Sequence, residues 1–114
     1  VPLFLRFQPP PHVSHRDWSA QTPPLSGTIP ASVGTLTGIT VLYLNNNAIT
    51  GTLPGALASL TELAYLRAGD NAISGTLPDA LGSLTALTEL ALFDNAITGT
   101  LPDALGSLTA LVYL

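Results

Sequence analysis

The sequence has no cysteine, no methionine and no lysine. Without cysteine there is no disulfide framework, no thiolate zinc site and no cysteine nucleophile. Without methionine the chain does not start at a translation start, so we expect a processed product or a piece of something longer. Charge is also scarce. Charged residues make up 9% of the 114 residues, the only fixed cations are three arginines, and the formal net charge is −4. A nucleic-acid binder normally carries a basic stripe, and none is present. An anionic membrane surface is disfavoured for the same reason. No apolar run approaches the ~18 residues of a membrane span. The opening Val1-Pro2-Leu3-Phe4-Leu5 is apolar, but reads better as ordinary chain than as the tail of a cut signal segment.

Apolar residues make up 46% of the chain, enough for one domain to bury surface against the entropy of ordering. Their arrangement is periodic. GTLPDALGSLTAL occupies 75–87 and recurs unchanged at 99–111, a shift of 24 positions. The same shift aligns three full units, 36–59, 60–83 and 84–107, followed by a partial unit, 108–114. A degenerate unit, 15–35, precedes them, and 1–14 forms a Pro-rich tail expected to be poorly ordered.

Each unit is legible as local structure. Leu66 and Ala68 are two apart and share one face of a short strand, with their neighbours on the other face. Gly69-Asp70-Asn71 signals a turn. Pro78 should end any regular ladder. Leu81 and Leu84 are three apart, the spacing of a short 3₁₀ turn, and Asp79 at its start suits the exposed amides. One unit cannot bury its own apolar face, but stacked units can.

Leu36, Ile39, Leu42, Leu44, Asn47, Ile49, Gly51, Leu53 and Pro54 follow the order LxxLxxLxLxxNxLxGxIP, as do Leu84, Leu87, Leu90, Leu92, Asn95, Ile97, Gly99, Leu101 and Pro102. This pattern resembles the plant-specific class of leucine-rich repeat. The second unit departs from it, with Ala68 in place of Leu. The resemblance implies an α/β solenoid: a right-handed superhelix with short parallel strands on its concave face and short 3₁₀ or helical turns on the convex side. It also implies an extracellular or cell-surface setting and, in many members, a cysteine-paired N-terminal cap that this sequence lacks. In a strict 24-residue register Trp18 takes the place of Leu42, where it could cover the open end of the stack. At the other end Leu111-Val112-Tyr113-Leu114 reads as a strand with an open edge, which invites pairing with another chain.

Several residues compete for a functional reading. Asn47, Asn71 and Asn95 form a ladder that, by the resemblance, satisfies backbone groups in the turns rather than binding a ligand. Asp70 and Asp94 are expected to be solvated turn residues, not a calcium or acid/base pair. His12, Ser14, His15 and Asp17 have the residue types of metal or triad chemistry without a recognised spacing. The better candidates point outward from the strands: Val41, Tyr43, Tyr65, Arg67, Glu89, Phe93 and Tyr113. Tyr, Phe and Arg are common interface anchors, although aromatics also favour exposed strand positions for packing alone, and Arg67 and Glu89 could simply pair. We therefore expect a non-enzymatic module that binds a protein or peptide through its concave face, without cofactor or metal, as part of a larger receptor-like or secreted protein. The alternatives are a structural or assembly spacer that associates through its open edge, and the non-catalytic part of a receptor kinase.

Overall fold

The computed structural model describes Pro2 and residues 14–112. Tyr113, His12 and most of the Pro-rich tail lie outside the described residues. Four coils stack into a body of 36 × 32 × 21 Å. The first strands of the coils are β1 (His15–Asp17), β3 (Val41–Tyr43), β5 (Tyr65–Arg67) and β7 (Glu89–Ala91), which pair in parallel in the order β1-β3-β5-β7. Leu42, Leu66 and Leu90 are neighbours across this sheet, and each is at most 1% exposed. The 24-residue shift is thus a physical translation by one coil.

The return half of each coil also pairs, beyond the single extended stretch that the sequence indicated. β2 (Ser26–Thr28), β4 (Ala48–Gly51), β6 (Ala72–Gly75) and β8 (Ala96–Ile97) form a second parallel sheet. Between the sheets the chain turns through a left-handed residue: Asn46, Asp70 and Asp94 have φ of 59°, 54° and 51°. Asn and Asp tolerate this conformation better than most non-glycine residues, and the equivalent place in the first coil holds Ala20 at φ 45°.

Each coil closes with a 3₁₀ turn after a proline: Ala31–Thr35, Gly55–Ser59, Asp79–Ser83 and Asp103–Ser107. Pro78 ends the extended stretch, and the Leu84 amide donates to the Leu81 carbonyl. Asp79 and Asp103 lie in the first turn of their segments, behind Pro78 and Pro102, whose side chains make no capping hydrogen bond. The benefit there is the general preference for a carboxylate near free amides.

The leucines fill the space between the sheets and the turns. Leu44, Leu57, Leu60, Leu63, Leu81, Leu84 and Leu87 are each at most 1% exposed. Ala68, in place of a leucine, is fully buried. In the last described coil Leu101 is 60% exposed, whereas its counterpart Leu53 is 4% exposed.

The first coil corrects one expectation. His15 pairs with Val41, 26 positions on rather than 24. Trp18 therefore corresponds to Leu44, not Leu42, and its amide donates to the Tyr43 carbonyl as that of Leu44 does to Arg67. Two extra residues in the turn that holds Pro23 and Pro24 restore the later register, so that Leu25 stands at the place of Ile49. Trp18 is half-buried against the core, and the Arg16 guanidinium lies 5.8 Å from its ring.

Candidate functional site

The three asparagines act on the backbone. The Asn71 side-chain oxygen accepts from the Ile49 amide at 3.0 Å. Its amide nitrogen donates to the carbonyls of Leu44, Ala68 and Gly69. Asn47 and Asn95 repeat the pattern toward Leu25 and Ile73. Each side chain therefore ties its own turn to the preceding coil and occupies groups that would otherwise be half-buried without partners. This leaves no amide of the ladder pointing to a ligand.

The outward strand positions build a different surface. Tyr65 is 40% and Phe93 53% exposed, while Val41, Tyr43 and Glu89 are half-buried. Arg67 stacks over the Tyr43 ring at 4.6 Å. It also forms a bidentate pair with Glu89, through Nε to Oε1 and through Nη2 to Oε2 at 3.1 Å. Arg67 aligns with Ala91, and Glu89 with Tyr65, so this pair is the diagonal one that the sequence allowed. On the far side of Tyr43 the His15 ring makes an edge contact at 5.6 Å between centroids. His15, Tyr43, Arg67 and Glu89 thus run as one row across four strands.

Beside the row lies an open pocket of ≈ 310 Å³, lined by Asn45, Arg67, Glu89, Ala91 and Phe93. Gly69 makes it what it is. A Cβ built there would meet the Phe93 ring at 2.8 Å, so the ring lies flat on the glycine and presents its other face. Gly69 and His15 are not among the outward candidates that the sequence suggests, where Gly69 reads as part of a turn and His15 as a metal- or triad-type residue. Glycine carries no side chain to notice, and His15 joins the row only because the first coil is offset by two.

Asp17 lies at the N-terminal end of this face. The Ser19 hydroxyl and amide donate to its carboxylate at 2.7 and 3.0 Å. These bonds, with smaller help from His15 and Arg67, hold its pKa below the ordinary value of 3.8. Among the described residues no three His, Cys, Asp or Glu side chains gather as a metal site, and no helix is long and apolar enough to cross a membrane.

Parallel coils with a strand, an asparagine-bearing turn and a 3₁₀ return define a leucine-rich repeat solenoid. The chain belongs to the leucine-rich repeat family, in its plant-type pattern, and the Leucine Rich Repeat model matches residues 38–60 and 86–108. A search of curated proteins returned no match. Among solved structures, the PEPR1-AtPEP1 complex is similar at 28% identity and TM-score 0.85, over 90% of this chain and 14% of that one. The Arabidopsis receptor kinase HAESA, solved with the peptide hormone IDA and the co-receptor SERK1, is similar at 35% identity and TM-score 0.76, over 80% of this chain and 15% of that one. A plant ice-binding protein is similar at 29% identity and TM-score 0.79, over 86% of this chain and 31% of that one. The chain spans less than a third of the length of each.

Proposed function

We propose that the chain is a recognition module that binds an extended peptide or protein segment across its concave strands. The observation that carries this reading is the pocket beside Phe93. An aromatic ring is half-exposed on a glycine seat, next to a fixed Arg67–Glu89 pair and the Asn45 amide. An exposed aromatic held rigidly offers contact area at little entropic cost on binding, and aromatics and arginine dominate interface energetics. The solved structure of HAESA with a peptide hormone supports the same use of a similar solenoid. Val41 and Tyr65 extend the proposed surface along the outward column.

The test is selection of a random displayed peptide library on the chain, followed by calorimetry of the selected peptides. Replacing Tyr65, Arg67 and Phe93 together by Ala should leave the circular dichroism spectrum unchanged and abolish saturable binding. Peptides that bind the triple variant as tightly as the parent chain would contradict the assignment.

A second reading rests on the other sheet. Its outward positions carry Thr28, Thr50, Thr52, Ala72, Ser74, Thr76, Ala96, Thr98 and Thr100. The Thr28, Thr52 and Thr76 methyls sit so close to Gly51, Gly75 and Gly99 of the next coil that a Cβ there would fall 2.6–2.8 Å away. The result is an uncharged face of pinned hydroxyls and methyls repeating at strand spacing, ~4.8 Å. Such regularity suits ordered water, and the similar ice-binding protein favours an ice surface as its partner. Thermal hysteresis that Thr50→Lys and Thr98→Lys remove would support this reading. Its absence in the parent chain would end it.

A further inference from the structure

We infer that the ligand of the concave face is cationic, with a Lys or Arg side chain seated on Phe93 beside Asp70 and Asp94. This rests on the reading of that face as a recognition surface and adds its charge preference.

The argument begins with the left-handed turn. The turn demands a residue that accepts positive φ, and Asn46 meets that demand without charge. Asp70 and Asp94 occupy the equivalent place in the next two coils. Their carboxylates are therefore surplus to the fold. Two like charges one strand apart even cost a little stability.

Both carboxylate-bearing residues adjoin the aromatic plate. Asp94 follows Phe93 in sequence. Asp70 follows Gly69, on which the ring lies, and its amide donates to the Phe93 carbonyl at 3.0 Å. The nearby Arg67 does not offset them, because Glu89 neutralises it through two hydrogen bonds. The other arginine among the described residues, Arg16, is at the opposite end of the stack beside Trp18. An anionic ligand side chain on Phe93 would meet two uncompensated negative charges. A cationic one would gain them, together with the negative face of the ring, an arrangement favourable to Lys or Arg.

The experiment uses two synthetic peptides with the same Ala/Tyr framework, one with Arg and the other with Glu at alternate positions. Each is titrated into the ¹⁵N-labelled chain. The Arg peptide should shift the Gly69, Phe93 and Asp94 amides saturably, and the Glu peptide should not. The double variant Asp70→Asn, Asp94→Asn should fold normally, because Asn already serves this turn in the preceding coil. It should weaken the Arg peptide by about tenfold, with a smaller salt dependence than the parent chain shows. Equal binding of the Glu peptide, or an Arg peptide indifferent to the double variant, overturns the inference. The library selection separates the two failures. Concave-face peptides without enriched Lys or Arg overturn the charge preference alone, whereas no concave-face peptide at all overturns both readings.

Discussion

Asn71 shows how much one side chain can do in a stacked fold. It satisfies one amide of the preceding coil and carbonyls of two coils at once. Asn71→Ala should cost about 2–4 kcal/mol in urea denaturation, because it leaves several half-buried backbone groups without partners. A loss below about 0.5 kcal/mol, the range of ordinary surface changes, would show that water replaces it freely. The glycines separate two effects. Gly27 has φ of 84° with open space around it, whereas Gly75 has φ of 77° and the Thr52 methyl 2.7 Å from where a Cβ would stand. Gly27→Ala should lose about 1 kcal/mol of backbone strain, and Gly75→Ala about 2–3 kcal/mol. Equal losses would mean that the Thr–Gly contact between coils is soft. Asp17 gives a pH prediction. Its pKa is depressed in the folded state by Ser19, so its contribution is present above the ordinary value of 3.8 and disappears as pH falls through the lower folded value. In an NMR titration Ser19→Ala should raise the Asp17 midpoint toward 3.8. An unmoved midpoint would assign the shift to another neighbour.

At the scale of the element, burial decides which strands matter most. Leu66→Ala, in the middle of β5 and 1% exposed, should cost about 2–5 kcal/mol. Leu92→Ala, at a half-buried position, should cost less, and the reverse order would contradict the packing described. The strands of the first sheet and the 3₁₀ turns were legible in the sequence because their apolar spacings, two and three, are local. The second sheet was not. β4 and β6 are built from Ala, Ile, Thr, Ser and Gly, and Thr50 pairs with Ala72, 22 positions away, so nothing within the strand announces its partner. The misplacement of Trp18 has a similar cause: two added residues in a turn shift everything before them, and a fixed period is blind to an insertion. Part of the candidate site could also be read ahead. Tyr65, Arg67 and Phe93 follow from alternation along a strand. The seat of Phe93 on Gly69 and the His15–Tyr43–Arg67 row are contacts between coils, which alternation within one coil does not contain.

The whole molecule behaves as a one-dimensional stack, since each strand and each turn packs on its counterpart in the adjoining coil. Protection from hydrogen exchange should therefore be greatest for amides of β3 and β5, which have a coil on either side, and should decline toward the last described coil, where Leu101 is 60% exposed. Uniform protection would indicate a single all-or-none unit. The most direct test of the stack is a nuclear Overhauser spectrum of the methyl-labelled chain. The account predicts contacts linking Leu42 to Leu66 and Leu66 to Leu90, with the Tyr65 ring open to a soluble paramagnetic probe. Missing Leu66–Leu90 contacts, or a Tyr65 ring shielded from the probe, would contradict it.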